Sequence, residues 1–375
     1  LTPCHAGGGG GKTHQGGALM VRHEEIALLR MVAHRIAGPG EADVVAAARL
    51  MTATQGQHLP GALTSLALRA RDATKADVVS ALDHGRLVRS WPMRGTLHIV
   101  AAEDLRWLLS LLAERVLAQM ARRRQQLGLD EATLARARAS TQAALRGGHG
   151  LLRKDLIAVW EDEGLAPAGG RGYHMLANLS LNGVVCHGPS DGDDQRIVLM
   201  DEWIPTGPIP DREETLAWLA ERYFHGHGPA TETDFARWAG LPLRDVRVGI
   251  AAVGDRLESI TGPEAGSPRY LMAPDTAERL ERHRAEARGV FLLPGFDEYI
   301  LGYADRDAVL PPEFAARIVP GNNGVFRPTV VAAGRVVGTW RFPTRQKRSL
   351  EAEPFTAFAP EVSARLPDAY ATLPV

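Results

Sequence analysis

Two glutamines one residue apart, Gln55 and Gln57, sit in the segment Thr54-Gln55-Gly56-Gln57-His58-Leu59-Pro60. A primary amide offers one carbonyl acceptor and two N–H donors. It does not ionise near neutral pH, so such a pair can orient a water but cannot act as a general base. In a helix, residues i and i+2 point about 200° apart, whereas in extended backbone they face one way. Gly56 and Pro60 are helix-ending signals, so the spacing predicts a helix that stops near 54–56 and lets both amides converge. Gln55 follows the apolar face of Val44, Ala48 and Met51 and is expected to point inward. The other, second reading is a polar helix C-terminus whose glutamines cap carbonyls. On the residues alone that second reading is favoured.

Other reactive groups offer less. Residues 6–13, Ala-Gly-Gly-Gly-Gly-Gly-Lys-Thr, fall one residue short of a phosphate-binding loop, which needs a buried strand before it and a helix start after it. Neither is expected around this low-complexity stretch, and Met20-Val21-Arg22 reads as a natural start. Cys4 and Cys186 are too few and too far apart for a disulfide framework or a zinc cage. His225-Gly226-His227 lacks partners at a familiar metal spacing and reads as the neighbourhood of a helix end. Asp297-Glu298 and Asp305-Arg306-Asp307 read as ion pairs or turn caps. No metal and no cofactor are expected.

The elements that must position these groups change period along the chain. Helical spacing over 24–36, 42–54, 63–70 and 77–84 gives way to strands at 87–91 and 96–100 around the Pro92–Gly95 turn. Helices followed by a hairpin describe a winged helix-turn-helix unit. Two long helices rich in Arg and Gln fill 102–146. A second unit follows, with helices at 154–163 and 173–182 and strands at 184–186 and 196–199. A third is less clear, with helices at 213–224, 231–239 and 243–253 and a strand at 257–260. Strands at 290–293, 325–332 and 335–341 make the end of the chain β-rich, with Ala333-Gly334 as a hairpin turn. The expected divisions are a tail or upstream extension (1–20), winged unit 1 (21–101), a helical connector (102–148), winged units 2 (149–207) and 3 (208–270), and a β-rich part (271–375).

Composition narrows the class. The 375 residues carry 43 basic and 44 acidic side chains at 45% hydrophobic content, which excludes a wholly disordered chain. The net charge of −1 hides a gradient, +7 over 1–150 and −8 over 151–375, as expected if one part meets an anionic partner. Thirty-nine of the basic residues are arginine; GC-rich codon usage is the favoured account of that bias, with phosphate recognition the alternative. No run of about 18 apolar residues and no signal-peptide core of roughly 7–15 stands in the chain, so the cytoplasm is the expected location.

The Gln55-Gly56-Gln57 motif, followed by Leu87-Val88-Arg89-Ser90-Trp91-Pro92-Met93-Arg94-Gly95-Thr96-Leu97-His98, resembles the AlkZ-type winged-helix DNA glycosylases. Leu292-Leu293-Pro294-Gly295-Phe296-Asp297, Asn323-Gly324-Val325-Phe326-Arg327-Pro328-Thr329-Val330 and Gly334-Arg335-Val336-Val337-Gly338-Thr339-Trp340 fit the same pattern in the same order. Gln57 stands where a related branch has an acid, so the resemblance is to the Q-x-Q branch. It implies a mainly α fold with β-hairpins (α+β), tandem winged helix-turn-helix motifs forming a concave DNA-binding channel, and a β-rich C-terminal part. It also implies a DNA glycosylase with Gln55 and Gln57 as the catalytic pair orienting the attacking water. The expected substrate is double-stranded DNA with N7-alkylated purines, including bulky adducts or interstrand crosslinks, with a link to self-resistance against DNA-alkylating antibiotics.

Lysine is scarce (Lys12, Lys75, Lys154, Lys347), so Schiff-base lyase chemistry is not expected and hydrolysis should leave an abasic site. DNA contacts are expected from Arg94, Thr96 and His98 on the first wing, from His58, and from Arg335 and Arg341, with Arg345, Lys347 and Arg348 close behind; for His98 internal packing is as good a reading. Arg122-Arg123-Arg124 reads as a solvated face or a phosphate contact. The protein is expected to be a monomer without membrane association or nucleotide cofactor. The competing classes are a winged-helix transcriptional regulator, which three dissimilar units fit poorly, and a drug-sequestering protein.

Overall fold

The computed structural model describes residues 22–262, 266, 268–342 and 349–374. The glycine-rich stretch with its loop-like motif lies outside the described residues, as do Arg345, Lys347 and Arg348. The first helix, α1 (His23–Ala33), is buried from Ile26 onwards, Arg30 included, the pattern of a helix inside a core.

Three units of related design follow. The first and third are each a helix, a short strand or single bridge, two helices and a hairpin, and the second has the bridge, two helices and hairpin behind the connector. The first is α2 (Val44–Met51), β1 (Thr54–Gln55), α3 (Leu59–Ala67), α4 (Lys75–Asp83), β2 (Leu87–Met93) and β3 (Thr96–Ala101). Asp43 opens α2 by accepting from the Val45 and Ala46 N–H groups, and a Thr74–Asp77 capping box opens α4. The helix expected to reach 54–56 stops at Met51. Thr52 turns to a φ of +63° and the chain becomes a strand paired to β3, so Gln55 does not continue the helix face. Tertiary strand pairing overrides the helical pattern there.

The connector is α5 (Leu105–Gln126) and α6 (Glu131–Leu145). The second unit adds α7 (Arg153–Asp162), α8 (Arg171–Leu181), β4 (Val185–Asp191), β5 (Asp194–Leu199) and the one-turn α9 (Met200–Trp203). The third is α10 (Arg212–His227), α11 (Glu232–Ala239), α12 (Leu243–Val253), β6 (Glu258–Thr261) and β7 (Arg269–Met272). Single bridges, Leu151 to Ile197 and Ala230 to Leu271, take the place of β1 in these two units. The four-residue β7 completes the third wing; it is too short for a period of two to stand out, and the division expected after 270 falls inside it.

The C-terminal part holds α13 (Thr276–Ala287), β8 (Val290–Leu293), α14 (Glu298–Leu301), α15 (Ala315–Ile318), β9 (Thr329–Ala332), β10 (Arg335–Arg341), β11 (Glu351–Pro354) and α16 (Pro360–Ala371), with a sheet ordered β11-β10-β9-β8. It shares its core with α1 rather than leaving α1 to the first winged unit. Ile26, Leu29 and Met31 pack with Leu293, Tyr299, Val331 and Val336, and each such side chain contributes about 1.5–3 kcal/mol on burial.

The first two wings form one sheet, ordered β1-β3-β2-β4-β5 and joined where Arg89 faces His187. Cys186 lies buried in β4, and burial pushes its thiol up to about 12. His225-Gly226-His227 forms the last turn of α10, where a Cβ on Gly226 would collide with the Leu50 carbonyl of α2. That glycine lets the third unit sit directly on the first.

Candidate active site

The two-residue β1 forms the open edge of the five-stranded sheet. Gln55 lies opposite His98, and His98 opposite Ser90. Residues directly opposite in antiparallel strands share a face, so Gln55, His98 and Ser90 make one row across three strands.

A free strand edge leaves N–H groups that must be satisfied if buried. The Gln55 N–H donates to Glu298 Oε1 at 3.1 Å, across 243 positions of chain, and Trp238 Nε1–H donates to Glu298 Oε2 at 3.0 Å. Glu298 is fully buried. Burial alone would raise its pKa, but the neighbouring His227 imidazole and the Arg94 charge outweigh it, so the carboxyl titrates below its ordinary value. The residue before it sets its place. Asp297 caps α14 through the Tyr299 N–H (2.9 Å) and takes a bidentate pair from Arg69 (2.8 and 3.0 Å) and the Ser65 hydroxyl (2.7 Å), all buried. Breaking such a pair costs about 3–5 kcal/mol, so α14 is locked to α3 and Glu298 to β1.

Gly56 pins the motif from both sides. Its N–H donates to the Leu97 carbonyl (2.7 Å) and its carbonyl accepts from Arg89 Nε (2.8 Å). Arg89 also donates to Gln195 Oε1 at 3.1 Å, tying the motif to the second wing, and burial lowers its pKa to about 10. Gln55 is half-buried and Gln57 exposed, and no hydrogen bond joins the two amides among the described residues. The Gln55 carbonyl oxygen is buried with no partner, as are Ser90 Oγ, Thr96 Oγ1 and Arg94 Nε. Buried polar atoms are paired in the great majority of cases. Four without partners around one row are acceptors and donors free for water or substrate.

The wing residues take other places than a projecting DNA reader would. His98 is fully buried; burial and the Arg94 charge hold its pKa at about 3. Arg94 only donates, so His98 Nε2 accepts from Arg94 Nη2 (3.2 Å) and Nδ1–H donates to the Thr96 carbonyl (2.9 Å). The imidazole is thus neutral and packed internally, with both ring nitrogens engaged. Arg94 has a φ of +55° and folds back onto His98, while Tyr173 of α8 reaches the Gly95 carbonyl (3.4 Å). Arg94 and half-buried Thr96 therefore border the Gln55 row instead of a free wing tip. His58 caps α3, accepting from the Gly61 N–H at 3.1 Å, and its ring is exposed.

The Ala333-Gly334 turn does not project. A Cβ on Gly334 would lie 2.9 Å from Ala27 of α1, and the Tyr299 hydroxyl donates to the Gly334 carbonyl (2.6 Å). Arg335 thus starts a strand seated on α1 and is half-buried; Arg341, at the far end of β10 opposite Glu351, is exposed.

Several residues escaped the sequence reading. From the sequence, Glu298 reads only as an ion pair or a turn cap. Arg237 is exposed on α11 with no partner among the described residues; after burial itself, its charge is among the influences lowering the pKa values of Arg94 and Arg306. Phe296 and Phe326 lie with their ring centroids 6.0 Å apart, with the Arg306 guanidinium 5.4 Å from the Phe326 ring. Phe296 has a φ of +62°, an outlier for an aromatic residue that costs about 1–3 kcal/mol. Contacts over such separations leave no local pattern; only the Pro-Gly-Phe-Asp string hinted at an unusual turn.

A family model described as DNA glycosylase AlkZ-like matches residues 48–373. The interstrand DNA cross-link repair glycosylase of Streptomyces sahachiroi is 28% identical over 324 residues, covering 80% of this chain and 82% of that protein. The solved structure of Streptomyces sahachiroi DNA glycosylase AlkZ aligns with a TM-score of 0.75 at 24% identity, over 95% of this chain and 99% of that one.

Proposed function

The chain belongs to the AlkZ-like DNA glycosylase family, and from that premise we propose that it hydrolyses the N-glycosidic bond of N7-alkylated purines with a water oriented by Gln55 and Gln57. The observation that carries this reading is the Gln55 carbonyl oxygen, a buried acceptor with no partner on a residue whose own N–H is held by a carboxylate. An N7-alkylated purine is already cationic, so it leaves as a neutral base without protonation by the enzyme. Positive charge then develops on the sugar, and the amides have only to place the water, a positional and electrostatic task. The Glu298 carboxylate behind Gln55 has the sign that favours such a transition state.

The range extends, in this reading, to bulky adducts and crosslinks, in line with the name of the Streptomyces sahachiroi relative, and to protection of a producer against its own alkylating agent. Arg237 and Arg341 are the proposed phosphate contacts, and phosphate contacts position the enzyme without reading sequence. His58, with its exposed ring at the start of α3, and Arg94 and Thr96, bordering the Gln55 row, are assigned to the DNA strand that enters the site. The enzyme acts as a monomer on duplex DNA, without metal or nucleotide cofactor, and leaves an abasic site.

The test is a duplex carrying one N7-methylguanine beside a matched duplex carrying uracil. Wild type is expected to release N7-methylguanine, to leave uracil in place, and to give no borohydride-trapped adduct. Uracil release at a comparable rate, or a trapped enzyme–DNA adduct, overturns the mechanism.

A further inference from the structure

We propose that Phe296, together with Phe326, forms an aromatic platform that takes the face of the alkylated purine beside the glutamine pair. The inference rests on the N7-alkylpurine reading above and adds the residues that select the base.

Chain geometry places Phe296 at the site from two sides. On one side, the Gly295 carbonyl lies 3.0 Å from where a Cβ on Gly61 would stand, against the first turn of α3 directly after Gln57 and His58. On the other, Glu298 holds the Gln55 N–H. Residue 296 is bracketed between these two contacts with the motif arm.

Its backbone is held there against its own preference. Positive φ at a bulky residue persists when the surroundings over-determine it, and such residues cluster at functional sites. Asp297 is locked by Arg69 and Ser65, and a Cβ on Gly295 would sit 2.6 Å from the Phe326 carbonyl oxygen. A turn that merely needed a left-handed residue would use glycine, yet Gly295 next door does not adopt positive φ and Phe296 does. Both rings are half-buried; Phe326 packs against the core shared by α1 and the C-terminal part, whereas Phe296 belongs to none of the hydrophobic clusters among the described residues.

The chemistry matches the base. An aromatic face attracts a cationic ring system and stacks on any purine. Arg306 lies over Phe326 and donates from Nε to the Ile300 carbonyl at 2.7 Å, which holds the second ring in place. Stacking is made with the ground state as well as the transition state, so its loss belongs in kcat/KM, chiefly through KM.

Phe296→Gly, Phe296→Ala and Phe296→Tyr separate function from structure. Glycine relieves the backbone strain and alanine does not, so the Gly variant is expected to melt above the Ala variant. Both lack the ring, so both should lose roughly ten-fold or more in kcat/KM on N7-methylguanine duplex, the scale of one base–aromatic stack, while Phe296→Tyr stays near wild type. A Gly variant with wild-type kcat/KM, or activities that simply follow melting temperature, overturns the platform while the N7-alkylpurine reading stands. A wild type that releases no N7-methylguanine overturns both.

Discussion

The first and third winged units share one design, yet the junction between short strand and second helix is open in one and sealed in the other. In the third unit, Ala230 exchanges both backbone hydrogen bonds with Leu271 (3.0 and 2.8 Å). The next residue, Thr231, already caps α11 in a capping box with Asp234, whose other oxygen accepts from the Ala304 and Asp305 N–H groups. In the first unit three residues separate β1 from α3, an imidazole replaces the usual hydroxyl or carboxylate cap, and Gln55, Ser90 and Thr96 keep unpartnered polar atoms. The third unit's junction is satisfied by its bridge and capping box, although His225 Nε2 and both ring nitrogens of His227 just before it lack hydrogen-bond partners, while the first unit keeps its unpartnered atoms around the glutamine motif. Function lives in a site grafted on a repeated fold.

Three perturbations break or sharpen that contrast. The largest acts on both units alike, because each buries an imidazole: His98 in the first and His227 in the third, with His187 in the joined sheet. Burial holds His98 and His187 near about 3 and also lowers His227. Below about pH 6.5 the unfolded chain binds protons that the folded one refuses, so stability falls as pH falls from 6.5 towards 3. Well below pH 6.5, His98 and His187 each contribute about 1.4 kcal/mol per pH unit. His227 acts in the same direction, and denaturant midpoints at pH 7.5, 6.5 and 5.5 measure the loss. His98→Gln should flatten the slope by one proton.

Next, Glu298→Gln acts on the open unit alone. Its amide turns donors towards either the Gln55 or the Trp238 N–H and removes the charge behind the motif. A fall in kcat of roughly ten- to hundred-fold with little change in KM is expected on N7-methylguanine duplex. A change in KM only would make Glu298 a binding residue instead. The smallest effect belongs to the sealed unit. Thr231→Ala should cost about 1 kcal/mol of stability, as a lost helix cap does, read from the denaturant midpoint.

Much of the scaffold was legible because it is local. β8 and β10 fall where apolar runs and the Ala333-Gly334 turn place them, and the hairpin of β2 and β3 follows from its change of period. The glutamine motif was visible, but on the residues alone its extended backbone was the less favoured of two readings. What stayed hidden is non-local. β1 exists only because β3 pairs with it, and Glu298 reaches Gln55 from the far end of the chain. The seating of Gly334 on α1 was equally invisible in the sequence.

The charge gradient also reads differently in three dimensions. Arg69–Asp297 and Arg106–Asp201 pair arginines of the basic half with carboxylates of the acidic half. Arg284–Glu25 runs the other way, and Arg237 in the acidic half stands without a partner among the described residues.

The most direct measurement compares single-turnover release of N7-methylguanine by Gln55→Ala/Gln57→Ala and by Thr231→Ala. The glutamine variant is expected to keep its melting temperature and lose at least about a hundred-fold in rate, and the threonine variant to melt lower yet react near the wild-type rate. Equal losses in the two, or a glutamine variant that keeps its rate, would contradict the assignment of the chemistry to the open junction of the first unit.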